Sequence, residues 1–172
     1  MTVPSPSSPA LPLRGLRSLD DIPHPQPHRV PHIVDEHDLG AVIRHASNLS
    51  YLRWGEQASE AHAHAMGCSL EFLAERGLMW FVVRHEIDYL AECFLGDELT
   101  ICTWVHDVEH VRSWRHTCIA RESDGRMVCV CRTLWVLVDL ATRRAVRIPD
   151  EITTAMLRHV ASGPGASECT SD

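Results

Sequence analysis

Residues 32–54 read HIVDEHDLGAVIRHASNLSYLRW. Arg29 to Val34 is short and β-compatible and delivers the chain to a polar turn, Asp35-Glu36-His37-Asp38. From Ser47 to about Met66 there is no proline, and Tyr51, Trp54, Ala58, Ala61 and Ala65 recur at helical spacing. The run therefore predicts a strand, a turn and the longest helix of the chain. Three alanines on one face would let that helix lie close against a sheet. Asp38 and His45, a carboxylate and an imidazole, stand where one element gives way to the next.

Working outward, Gly67 stops the helix and Ser69 caps a second short one, SLEFLAERG, ending at Gly77. Beyond Gly77 the chain is rich in β-branched and aromatic residues. This half predicts strands at about 79–91, 98–108, 111–122, 126–138 and 145–148, with Ser123-Asp124-Gly125 as the strongest hairpin signal. Short joins demand antiparallel pairing, since parallel pairs need long crossovers. The fold class is α+β, one antiparallel sheet wrapped on one helix. In the 126–138 strand, Met127, Cys129, Cys131, Thr133, Trp135 and Leu137 are expected on one face and Val128, Val130, Leu134, Val136 and Val138 on the other. Both faces are mostly apolar, so the side away from the helix is expected to be covered, most simply by a second subunit. After Ile148-Pro149 a short helix is expected to about His159.

A chain of 172 residues, 45% hydrophobic, buries one good core. The domain is expected over 27–158. The proline-rich segment 1–26 reads as a mobile tail, its LPLRGLRSL stretch as a loosely attached arm rather than a docking helix, and 159–172 reads as a disordered tail. A net charge of -7 argues against nucleic acid and anionic membranes as partners. Seven cysteines without Cys-x-x-Cys spacing read as small core residues in a reducing cytoplasm. No apolar run reaches spanning length and no signal peptide is evident, so the reading is soluble and cytoplasmic. His62-x-His64 projects to different sides of a helix, so no metal is expected. No glycine-rich phosphate loop or Gly-x-Ser-x-Gly elbow occurs, and no cofactor is expected.

The run Asp38-Leu39-Gly40-Ala41-Val42-Ile43-Arg44-His45-Ala46 resembles the Asp-x-x-Gly-Val-Val-Tyr-His-Ala-like run of the hot-dog fold acyl-CoA thioesterases, in their 4-hydroxybenzoyl-CoA thioesterase-like branch. Further landmarks come in order: Tyr89-Leu90, Gly96-Asp97-Glu98-Leu99, Val138-Asp139 and Ile148-Pro149. The resemblance covers about 29–152. The chain departs from the family pattern at Val34, His37, Arg44 and Ala91-Glu92. The resemblance implies five or six antiparallel strands around one long central helix, and homodimers or homotetramers with active sites between protomers.

It also implies hydrolysis of an acyl-CoA to the free acid and coenzyme A. A thioester needs a nucleophile or base beside its carbonyl, a donor where the oxyanion develops, and a route for the departing thiolate. Asp38 meets the first need, by attacking the carbonyl or by activating water, and partial desolvation would raise its pKa. His45, near free N–H groups at a helix start, fits the oxyanion and leaving-group side. Asp35 reads as strand-end polarity, Ser47 and Asn48 as helix caps, and Glu56 and Glu60 as a solvated helix face. Arg53 and Trp54 could line a pocket or serve core and surface. Coenzyme A carries phosphates, for which Arg112, Arg115, Arg143 and Arg144, at strand ends and turns, are the candidates. Two alternatives keep the fold: a thioesterase for acyl or polyketide chains on an acyl carrier protein, and a non-catalytic acyl-binding dimer.

Overall fold

The computed structural model describes Leu13 and residues 15–158. Its central element, α1, spans Asn48–Ala65. Ser47 caps it by accepting from Ser50 N at 3.2 Å, which satisfies one of the free donors of the first turn. Gly67, at φ +75°, takes the left-handed position beyond the helix end, and Ser69 caps α2, Leu70–Glu75. Both caps and the helix limits agree with the sequence reading.

Strand β1 (His28–Ile33) precedes α1, and β2 (Leu78–Tyr89), β3 (Glu98–Val105), β4 (Arg112–Arg121), β5 (Met127–Asp139) and β6 (Arg144–Ala145) come after it. A last helix, α3, covers Asp150–Leu157. The strands form one antiparallel sheet in the order β1-β3-β4-β5-β2, with β6 on β5. This is the α+β hot-dog architecture, a curled sheet around a helix. Tyr51, Trp54 and Ala58 of α1 pack with Val34, Leu99, Ile101, Ile119, Val128 and Cys129. Trp54 is fully buried, and truncating such a residue costs about 3–5 kcal/mol. A second cluster, Leu73, Val105, Leu137, Ile152 and Met156, closes the far end of α1 with α2 and α3.

Two expectations about the faces are corrected. Ile119 pairs with Cys129 while Ala120 pairs with Met127, so Val128 is an extra residue in β5. Such a bulge reverses the alternation: Val128 joins Cys129 in the α1 cluster, while Met127 joins Val130 on the opposite face. That opposite face is covered in part by the chain itself. Leu13, Leu16, Leu19 and Ile22 pack on Trp104, Cys118, Ala120, Met127 and Val130, and Met127 N donates to Arg17 O at 2.9 Å. The described part of the N-terminal segment is therefore a docked arm, not a mobile tail. Its prolines exclude long helix, but four apolar side chains gain a buried surface. The expected tail 159–172 lies outside the described residues.

The two ends of the sheet carry different groups. Arg121, at the end of β4, donates from Nη1 to Glu92 O at 3.0 Å, and Cys93 O accepts from Ala46 N at 2.7 Å. The loop of Asp38 thus sits at this end. Arg112, at the start of β4, is roughly 30 Å away along the strand.

Candidate active site

Glu36–Asp38 is a single 3-10 turn. Asp35 starts it by accepting from His37 N at 2.8 Å, and Asp38 Oδ2 accepts from Asp35 N at 3.0 Å. This reciprocal box gives Asp35 a capping role and turns the Asp38 carboxylate inward. Asp38 is only 2% exposed. Its Oδ1 accepts from Trp54 Nε1 at 2.9 Å and from Arg53 Nη2; its Oδ2 also meets His32 Nε2 at 3.0 Å. An ionised carboxylate only accepts, so the His32 proton belongs on Nε2. The four donors fill the roughly four lone-pair sites a carboxylate offers.

Burial pushes the Asp38 carboxyl up, but the hydrogen bonds from Asp35, His32, Trp54 and Arg53 together outweigh it and hold it below its ordinary value of 3.8. The expected rise is thereby corrected: desolvation is present, but donors aimed at the charged form win. The backbone is tied to the helix as well. Asp38 O accepts from Ser50 Oγ and from Ser47 N, both at 2.8 Å.

His45 lies three residues before α1 and is half-buried. Gly40 N donates to His45 O at 2.9 Å and pins the loop, leaving Val42 and Ile43 exposed at its tip. The donors on the Asp38 carboxylate are the four named, and the His45 ring is not among them.

The four arginines do not converge on Asp38 within the chain. Arg112 is held by Glu109 through Nε at 3.0 Å and through Nη2. Arg143, in the left-handed region at φ 57°, and Arg144 are exposed at the turn from β5 to β6. Arg115 departs from the expected strand end or turn. It lies inside β4 and is 7% exposed, so its stem and head face the helix side of the sheet rather than solvent. Alternation from a strand start three residues earlier accounts for the difference.

Sequence reasoning misses His32 as a partner of Asp38. The one signal for it is the alternation in β1, which half-buries His28, Val30 and His32. Arg53 and Trp54 are resolved as donors to Asp38.

Between α1 and the sheet lies a cavity of about 340 Å³, lined from α1 by Glu56, Ser59, Glu60 and Ala63 and from the strands by residues including Trp80, Arg115 and Trp135. Glu56 and Glu60 are exposed at its rim. A smaller hollow beside Tyr51, Leu52 and Gly55 shares Glu56, Ser59 and Trp135 with it. The two adjoin along the helix, and the larger is within the size range of small-molecule sites.

Residues 31–156 match the thioesterase-like superfamily. The chain belongs to that superfamily. The fold recurs in a Staphylococcus aureus protein solved in complex with CoA, at a TM-score of 0.74 and 18% identity, covering 83% of this chain and 89% of that one. A 1,4-dihydroxy-2-naphthoyl-CoA thioesterase from Synechocystis is similar at a TM-score of 0.70 and 18% identity, over 77% and 96% of the two chains. The 12:0-ACP thioesterase from Umbellularia californica is similar at a TM-score of 0.65 and 24% identity, over 84% and 59%. A chloroplastic acyl-[acyl-carrier-protein] hydrolase of Cuphea viscosissima is 26% identical over 80 residues, 46% of this chain and 19% of that relative. The match thus spans about a fifth of the curated relative. Family and fold agree with the resemblance drawn from the Asp38 to Ala46 run.

Proposed function

We propose that this member of the thioesterase-like superfamily hydrolyses an acyl-coenzyme A to the free acid and coenzyme A, in the cytoplasm, with Asp38 as its catalytic carboxylate. The observation that carries this reading is a buried, ionised carboxylate clamped by four donors at the entrance to the central helix. Water supplies the oxygen of the acid, the carbon–sulfur bond breaks, and the thiolate leaves with a proton. Asp38 takes part either by attacking the carbonyl and forming an anhydride that water opens, or by taking the proton of the attacking water. Either role needs a vacated lone pair. Arg53, whose side chain is 48% exposed, is the donor with room to leave.

His45, at the loop that enters α1, is assigned to the oxyanion and leaving-group side of the reaction, where N–H groups near a helix start favour developing negative charge. A homodimer, or a tetramer of such dimers, is expected because β2 is a sheet edge with exposed Phe81 and Val83. Antiparallel pairing of two β2 strands about a two-fold would bring the arginine-bearing end of one subunit toward the Asp38 end of the other. Arg143 and Arg144, both exposed there, and Arg112 beside them are then assigned to the phosphates of coenzyme A.

The similarity to two acyl-carrier-protein hydrolases favours a second reading, in which the acyl group arrives on a carrier protein. A third, binding without turnover, is distinguished by the same experiment. Free-thiol release is measured for a panel of acyl-CoA and acyl-carrier substrates with the wild type and Asp38→Asn. Turnover of an acyl-CoA that falls by about 10²–10⁴ in Asp38→Asn supports the proposal. Full turnover in the variant sinks the catalytic assignment, and carrier-bound substrate outcompeting coenzyme A esters selects the second reading.

A further inference from the structure

Arg115 is the one fully charged side chain among the buried residues whose described partners are all neutral. Its Nη1 lies 2.9 Å from His62 Nδ1 and 3.4 Å from Thr103 Oγ1. Guanidinium only donates, so both partners are acceptors here, and His62 carries no proton on Nδ1. Nε and Nη2 make no hydrogen bond to any described residue, and no carboxylate lies within 4 Å among the described residues. Glu56 and Glu60 line the same cavity but remain exposed at its rim, unpaired with Arg115. A guanidinium at 7% exposure without a counter-charge is costly, since the attraction that would offset its desolvation is missing.

A second, independent orphan lies in the same cavity. Trp135 Nε1 is buried with no hydrogen-bond partner among the described residues, although a buried indole N–H ordinarily finds one. Trp135 pairs with Ser113 on β4 and with Val82 on β2, and all three line the cavity with Arg115. Apart from Ser59, Ser113 and the two glutamates at the rim, the remaining wall is apolar, with Leu73, Met79, Trp80, Phe81 and Met156 contributing. The site thus offers unused donors, one group of them charged, in a chamber whose wall is otherwise mostly apolar. A plain alkyl chain would fill the chamber and leave every donor unsatisfied. A carboxylate at the end of such a chain would satisfy them and neutralise the guanidinium.

We propose that this cavity binds the distal end of a medium-length acyl group that terminates in a carboxylate, with the Arg115 guanidinium and the Trp135 indole N–H as the groups that receive it. The substrates would be monothioesters of dicarboxylic acids. The inference builds on the thioester-hydrolase reading for the head of the substrate and adds the specificity of its tail. At ~30 Å³ for a water-sized group, the volume admits roughly ten such groups, which suits a chain of that order. Specificity of this kind is strong because a chain lacking the acceptor leaves buried donors unpaired.

The test separates binding from turnover. The monoamide of octanedioic acid and octanamide, in which a neutral amide stands for the thioester, are titrated into the full chain by calorimetry, and octanedioyl-CoA and octanoyl-CoA are compared for kcat/KM. The monoamide is expected to bind at least tenfold tighter than octanamide, a difference of about 1.4 kcal/mol. Arg115→Gln is expected to abolish that preference, and Trp135→Phe, which keeps the ring and loses only the donor, to reduce it severalfold. Equal binding of the two amides, tighter binding of octanamide, or a preference that survives both substitutions overturns the proposal. Should the dicarboxylate preference persist while no thioester is hydrolysed, the subsite stands and the hydrolase reading falls.

Discussion

The indole N–H of Trp54 donates to Asp38 Oδ1 at 2.9 Å across sixteen residues of sequence, joining the first turn of the motif to the body of the central helix. Trp54 is the most enclosed aromatic of the α1 core, so the same side chain that anchors the helix to the sheet also supplies one of the four hydrogen bonds that favour the charged form of the candidate catalyst. Arg53, next to it, donates to the same oxygen from the solvent side.

This arrangement makes the acid limb of the pH–rate profile adjustable. The four hydrogen bonds depress the Asp38 carboxyl below 3.8, so Trp54→Phe and Arg53→Met, each removing one donor, should move that limb upward in pH. The stability link has the opposite dependence on donors. A depressed carboxyl contributes stability fully above its ordinary value and loses it as pH falls through the lowered one. Asp38→Asn should therefore flatten acid unfolding in that window. An acid limb unmoved by both substitutions would separate Asp38 from the rate-determining ionisation.

On the outer face, His116 is buried against Trp104 at 5.4 Å, stacks on His106 at 4.2 Å, and leaves Nδ1 without a partner among the described residues. Burial, with help from His106 and Arg132, holds its pKa down at about 3 against an ordinary 6.5. The native state thus keeps the ring neutral where the unfolded chain would protonate it. Stability should be complete above pH 6.5 and decline toward pH 3, by up to about 1.4 kcal/mol per unit. Denaturant titrations of His116→Phe at pH 7 and pH 5 should show a smaller difference between the two pH values than the wild type shows.

Gly40 closes the motif loop through Gly40 N to His45 O. A Cβ there would stand 3.0 Å from Ile43 O, a backbone atom that has to give way, and in ordinary contact with His45 O at 3.7 Å. Gly40→Ala should lower turnover by about tenfold to a hundredfold through misplacement of the His45 side of the site. Thermal stability should change little, because the strain is confined to an exposed loop. Equal kinetics for Gly40→Ala and wild type would show that the loop geometry does not matter to the reaction.

Val83 interrupts β2 between the pairs Val82 with Trp135 and Arg84 with Leu134, and is 48% exposed on the edge strand. Val83→Lys, a charged edge residue of the kind that blocks strand addition, should convert a β2-paired dimer to monomers in sedimentation velocity with unchanged far-UV circular dichroism. A dimer that persists would direct the search to another surface.

Much of the architecture is legible in the sequence because it depends on local signals. Ser47, Gly67, Ser69 and Ser123-Asp124-Gly125 mark ends and turns through backbone chemistry that needs no distant partner. The α1 stripe and the β-branched runs then set element types. Asp38 is legible through its spacing to His45 and the landmarks further along the chain, and the superfamily match agrees with that recognition.

Chain order does not supply contacts between residues far apart in sequence. The bulge at Val128 depends on register against β4, so simple alternation puts Met127 on the wrong face. Proline-rich composition makes residues 1–26 resemble a free tail, yet Leu13, Leu16, Leu19 and Ile22 find an apolar sheet face that exists only after folding. His32, Arg53 and Trp54 surround Asp38 because β1 and α1 cross beside one turn, and together with the local Asp35 N–H they reverse the pKa shift that burial alone would produce. Arg115 looks like one more surface arginine until strand alternation turns it inward. Sequence by itself determined the elements, their order and the motif, since those arise from propensity and spacing. Tertiary structure alone decided which groups hold the carboxylate, what covers the sheet and where the buried charge lies, since each is set by the meeting of distant side chains in a desolvated space.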